Sequence, residues 1–175
     1  MRYVAFLRGI NVSGQKLIKM TELKEHFVMP GISNIVTYIQ SGNVIFDSKE
    51  ANTDKLRKKI EKQLTAKLGY DVPTIVRSVD ELTAAAGNSP FKEGEGDDKR
   101  KVYIVFLSHE PEKSTIAALD KYKSDAEELQ LIGRELYVLT GGIGNSKLTL
   151  SVIEKKLGVD ATMRNLATTR KVAAL

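Results

Sequence analysis

The chain contains no cysteine, no tryptophan and only two histidines in 175 residues. Without cysteine there is no disulfide, no thiol nucleophile and no thiolate metal site, and the absence fits a reducing compartment. His26 and His109 do not amount to a His-rich zinc or iron centre, so neither a metal nor a cofactor is expected. No apolar run approaches the roughly 20 residues that a membrane helix needs. The apolar opening is cut off by Arg8 and Gly9, with no small-residue cleavage site behind it. It reads as a first strand, not a signal peptide. The expectation is a soluble, cytoplasmic protein without a membrane partner.

What is present suits a packed core: 42% hydrophobic and 28% charged residues. A net charge of +5 is mild. It is compatible with nucleic acid or an acidic ligand as partner, and equally with an ordinary solvated surface.

Along the chain, residues 2–8 are apolar on both faces, the mark of a central strand covered on both sides. Met20, Leu23, Phe27 and Val28 form a helical stripe that Pro30-Gly31 stops. Ile35–Ile39 and Val44–Phe46 flank Ser41-Gly42-Asn43 as a hairpin. Leu56, Ile60, Leu64 and Leu68 share one helical face, closed by Gly69. Val72–Val76 is a further strand and Val79–Ala86 a short helix. The first part therefore reads β-α-β-β-α-β, the split βαβ order. After a polar stretch around Glu93-Gly94-Glu95-Gly96-Asp97-Asp98 the order restarts at Val102–Leu107. A helix through Ile116, Leu119, Tyr122 and Ala126 follows, then a hairpin about Gly133-Arg134. The helix of Leu148, Val152 and Leu157 comes next, and Thr162–Leu175 reads as a helical tail. The fold class expected is α/β of the α+β type. It has two ferredoxin-like (split βαβ) halves, the second incomplete and lacking a final strand, with a C-terminal helix. The boundaries are 1–86 for the first half, 87–100 for a linker or loop, and 101–175 for the second half.

Three segments carry candidate chemistry. Arg8–Lys16 joins a strand to a helix, and its freed backbone amides with Arg8 and Lys16 can bind an anion. Gly141-Gly142-Ile143-Gly144-Asn145-Ser146-Lys147 resembles a phosphate loop, but Leu148 stands where a hydroxyl for magnesium is needed. A helix cap at Ser146 accounts for the same residues. On a helical tail, Arg164, Asn165, Thr168 and Lys171 fall along one face. Ser41 lacks the pattern of a nucleophile, and a turn explains Gln40-Ser41-Gly42-Asn43 directly.

Three separated motifs, Phe6-Leu7-Arg8-Gly9-Ile10-Asn11-Val12, Thr37–Phe46, and Thr162 with Arg164-Asn165 and Thr168, resemble the bacterial family called domain of unknown function sixteen ninety-seven. The resemblance implies two α/β halves of ferredoxin-like character in cytoplasmic bacterial proteins with no established activity. Its polar motif positions are Arg8, Asn11, Ser41, Asn43, Arg164, Asn165 and Thr168. Two departures stand out. Leu166 replaces a Trp that usually follows Arg-Asn, and Ser89-Pro90-Phe91 replaces Asn-Pro-Phe.

With Lys16 and Lys171 added for charge, these residues are expected to converge in a cleft between the halves and bind a small anionic or phosphorylated ligand. Three alternatives stay open. One is a nucleic-acid binder with steep salt dependence. The second is a metal-independent enzyme using Lys or a carboxylate as base. In the third, the polar residues only pin the halves together.

Overall fold

Strand β1 (Arg2–Leu7) alternates Tyr3, Ala5 and Leu7 on one face with Val4 and Phe6 on the other, and all five are buried. A strand buried on both faces must be central, and β1 pairs antiparallel with β3 (Asn43–Asp47) on one side and β4 (Thr74–Ser78) on the other. In this computed structural model the described residues are all of 1–175 except Ser13, Glu95–Asp97 and Ile143–Asn145. These parts of the β1–α1 loop, the polar stretch and the glycine loop lie outside the description.

Tyr3, Ala5 and Leu7 pack against Leu23 and Phe27 at helix α1 (Met20–His26), Val44 and Phe46 of β3, and Leu56, Ile60 and Leu64 of α2 (Thr53–Leu68). The four-residue spacing on α2 puts its apolar residues on one face. Asn52 caps its start by accepting the Lys55 N–H at 3.0 Å, and Gly69 ends it at φ 76°. The Tyr3 and Phe46 rings stack at 5.8 Å. Strand β2 (Ser33–Tyr38) completes the sheet, with order β2-β3-β1-β4. Its register shifts between Ser33 and Val36, and Asn34 there has φ 49°. Helix α3 (Val79–Gly87) follows β4 directly.

The same arrangement recurs. Strand β5 (Lys101–Leu107) is followed by a short α4 (Lys113–Ile116) that tightens into a 3-10 turn over Ala117–Tyr122. Then come β6 (Glu127–Ile132), β7 (Glu135–Thr140), α5 (Leu150–Leu157), β8 (Ala161–Asn165) and α6 (Leu166–Ala173). The second sheet has order β6-β7-β5-β8, again antiparallel at each pairing. Its helix-side core joins Val105 and Leu107 to Leu119, Val138, Ile153 and Leu157.

The fold is thus mixed α+β with two four-stranded antiparallel sheets. One expectation is corrected: the second half is not incomplete, because Ala161–Asn165 is a strand and not the start of a helical tail. Thr162 and Arg164 share one face of β8, opposite Phe106 and Ile104. A buried arginine within a five-residue strand breaks the apolar run by which such strands are recognised. The helix expected through Ala126 also ends early, at Tyr122.

The chain divides into two compact units, Met1–Thr83 with Lys171–Leu175, and Ala84–Arg170. Arg2 joins the C-terminal residues to the first unit by donating from Nη2 to the Leu175 carbonyl at 2.8 Å. Among the described residues no helix is long and apolar enough to cross a membrane.

Two predictions follow from this packing. Gly42 has φ 78°, and a Cβ there would lie 2.8 Å from Ile10 Cδ1 and 2.9 Å from Leu7 Cβ. Gly42→Ala is expected to lower unfolding stability by about 2 kcal/mol or more, read from urea denaturation. Asp47 accepts from Asn34 Nδ2 at 2.6 Å and Arg2 Nη1 at 3.0 Å. The Asn34 amide first, and then Arg2, hold its carboxyl below the usual carboxylate range. A depressed carboxylate contributes stability above its unfolded pKa of about 3.9 and loses it as pH falls through the lower folded value. The stability gap between wild type and Asp47→Ala is therefore flat near neutrality and narrows below about pH 4 in graded-pH melts.

Candidate functional site

The β1–α1 loop is built from backbone that turns back on itself. Gly9, Asn11, Gly14 and Lys16 all have positive φ. Glycine adopts such angles freely, and Asn is the side chain that tolerates them best. The Asn11 carboxamide closes the loop: Oδ1 accepts the Ile18 N–H at 2.8 Å, and Nδ2 donates to the Ile18 and Gln40 carbonyls, both at 3.0 Å. Lys16 Nζ donates to the Asp71 carbonyl at 3.2 Å and lies 4.7 Å from the Tyr70 ring centroid. Asn43 is fully buried, with Nδ2 donating to the Tyr38 carbonyl at 2.9 Å and Ser41 Oγ at 3.1 Å. Arg8 anchors the loop through its own N–H, bonded to the Pro73 carbonyl at 2.9 Å. The first motif and the hairpin turn thus meet through Asn11 and Gln40.

In the second unit, Arg164 Nη1 donates to Thr162 Oγ1 at 3.0 Å and the Met163 carbonyl at 2.8 Å. Burial pulls its guanidinium pKa down to about 10, so it keeps its charge at neutral pH. Asn165 Oδ1 accepts the Thr168 N–H at 2.7 Å and caps α6. These residues do not share a helical face, since Arg164 and Asn165 lie on β8 and Thr168 on α6. Lys171 is exposed on the last turn of α6 and belongs to the first unit.

The first unit repeats this device. Arg77 takes the corresponding place on β4, opposite Val4 as Arg164 is opposite Ile104, and is 2% exposed. Ser78 then caps α3: its Oγ accepts the Glu81 N–H at 3.1 Å while Glu81 Oε2 accepts the Ser78 N–H at 2.8 Å. Arg77 went unread because one arginine in an apolar strand gives no periodic signal. The matching Arg-Ser and Arg-Asn before two helices was the cue.

The second unit also holds a cavity of about 500 Å³ at the open end of the β6–β7 hairpin. Its wall carries Lys121, Lys123 and Lys147, with Thr140, Gly141 and Gly142 beside them. Glu127, the first residue of β6 and 9% exposed, also faces it. The carboxylate is engaged, because Ser146 Oγ donates to Oε1 at 2.5 Å and accepts the Leu148 N–H at 2.9 Å. The helix cap expected at Ser146 belongs instead to Thr149, whose Oγ1 accepts the Val152 N–H at 3.3 Å. Leu148 is fully buried in the core, so the position where a nucleotide-hydrolysing loop presents its hydroxyl points away from any ligand. Lys123 pairs with Asp120 at 2.7 Å. Ammonium groups act on an anion as mobile point charges, while the Gly142 N–H is already bonded to Thr140 Oγ1 at 3.4 Å. Lys121, Lys123 and Glu127 carry no sequence signal, because they precede Gly141 by 20, 18 and 14 residues and show no spacing motif.

A family model described as "Protein of unknown function (DUF1697)" matches residues 1–137. The chain belongs to this family. The match to DUF1697 stops within β7, so Thr140–Lys147 and the β8–α6 device lie beyond it. Over 99% of its length the chain is also similar to the solved structure of the conserved bacterial protein SP0830 from Streptococcus pneumoniae, of which it covers 97%. The TM-score is 0.77 at 21% identity, a likeness of fold. No curated protein matches the chain.

If Asn165 serves α6 as a cap, Asn165→Ala lowers stability by about 1 kcal/mol and Asn165→Asp retains most of it, as urea titration will show.

Proposed function

We propose that this protein binds a small anionic or phosphorylated ligand in the lysine-lined pocket of its second unit. The observation that carries the reading is the convergence of Lys121, Lys123 and Lys147 on one cavity whose own carboxylate, Glu127, is already held by Ser146. Lys147 has no partner among the described residues, and its charge is available to a ligand. A cavity of about 500 Å³ falls within the usual range for small-molecule sites. The motif residues Asn11, Asn43 and Asn165 support this placement indirectly, since their carboxamides are spent on loops and a helix cap. Element order and the strand order 2-3-1-4 support a ferredoxin-like, split βαβ module for each unit. In such a module the pocket sits at the open end of the hairpin, with Tyr122 joining its wall to the helix-side core.

Thermal unfolding with inorganic phosphate, pyrophosphate, sugar phosphates and short oligonucleotides tests the proposal. A ligand at ~100 times its dissociation constant stabilises by about 2.7 kcal/mol, a rise of roughly 5–10 °C for a chain of this size. The expected outcome is such a rise with a phosphorylated small molecule, lost in Lys121→Ala/Lys147→Ala. A rise with oligonucleotides alone, fading steeply with salt, would instead favour nucleic acid. No rise with any of them overturns the reading.

A further inference from the structure

The pocket of the second unit has a counterpart in the first. A cavity of about 500 Å³ lies at the open end of the β2–β3 hairpin, beside Ser33, Asp47 and Ser48. Ser33 and Asp47 are paired across that hairpin as Glu127 and Thr140 are across the other. In both units the loop leaving the hairpin is pinned by a serine. Ser48 Oγ donates to the Gly31 carbonyl at 2.8 Å and accepts the Glu50 N–H at 3.2 Å. Ser146 Oγ likewise donates back to the start of its edge strand, at Glu127, and accepts the N–H two residues on. In both, the next helix begins at a capped residue, Asn52 or Thr149. In both, three lysines line the cavity: Lys49, Lys55 and Lys59 in the first unit, Lys121, Lys123 and Lys147 in the second.

The lysines are not shared by descent of position. Lys55 and Lys59 project from the first turns of α2, whereas Lys121 and Lys123 come from the segment before β6. Two places in the fold thus reach the same charge by different residues, around the same serine-pinned frame. The carboxylates of the first cavity are occupied: Asp47 by Arg2 and Asn34, and Glu50 by the Asn52 N–H at 2.9 Å. Lys59 donates to the Pro30 carbonyl, next to Gly31 in the cavity wall. The ammonium groups of Lys49 and Lys55 have no partner among the described residues.

We propose that the cavity of the first unit is a second binding site for phosphate-bearing small molecules, so that one chain takes two. The inference rests on the anion reading of the second-unit pocket, and the experiment separates the two. Pyrophosphate is titrated into the full chain, with sodium chloride of equal ionic strength as reference, and amide proton–nitrogen NMR signals are followed. Signals of Ser48, Lys49 and Lys55 are expected to shift saturably, as are those of Gly142 and Lys147. Lys55→Ala/Lys59→Ala should weaken the first set by about tenfold or more and leave the second in place, with the spectrum itself reporting that the variant is folded. Saturable shifts in the second set alone overturn this inference and leave the proposed function standing. Shifts in neither set, or shifts that sodium chloride reproduces, overturn both.

Discussion

Everything in each unit hangs on a central strand that is buried on both faces. Tyr3, Ala5 and Leu7 of β1, and Val105 and Leu107 of β5, hold the helix-side cores. Val4, Phe6, Ile104 and Phe106 on the opposite faces are equally excluded from water. A strand so placed has no face to give to solvent, and its backbone groups must be satisfied by neighbours on both sides. The hairpin supplies one neighbour and the last strand the other. Register is then tightly specified, because a slip by one residue would exchange the two apolar sets and carry every flanking polar residue with it.

Polar residues are accordingly concentrated where the strands run out. Most are used there to finish local structure. Asn11 closes a loop, Asn43 sits beneath a turn, Ser78 and Asn165 start helices, and Ser48 and Ser146 brace the segments that leave the hairpins. A short polar side chain that satisfies backbone N–H groups at such points typically contributes about 1 kcal/mol. A motif of Asn, Ser and Thr can therefore be a signature of architecture alone. The lysines differ, because the ammonium groups of Lys49, Lys55 and Lys147 finish no local structure among the described residues.

Legibility in the sequence followed periodicity. Strand β1 and helix α2 could be read from the spacing of their apolar residues, and the β6–β7 hairpin from Gly133 between two β-rich runs, where the turn has φ 59°. Strand β8 could not, since Thr162 and Arg164 occupy the face that would have marked it as apolar. The pockets were invisible for another reason. Lys121 and Lys147 line one cavity only because β6 and β7 fold back on each other, and that arrangement belongs to the register, not to any local pattern. The glycine loop attracted notice for its composition, while its partner segment before β6 has none to offer.

The irregular start of β2 carries a consequence for the molecule in a crowded solution. An open sheet offers its outermost strand as a template for any extended segment, of its own kind or another, and long flat edges invite fibrous assembly. Here the register shift between Ser33 and Val36 and the left-handed turn at Asn34 interrupt the row of backbone donors and acceptors that an incoming strand would have to match. The Asn34 side chain is drawn to Asp47 and fixes that interruption in place. The bulge thus guards the solubility of the first unit along the border where its sheet would otherwise continue to grow.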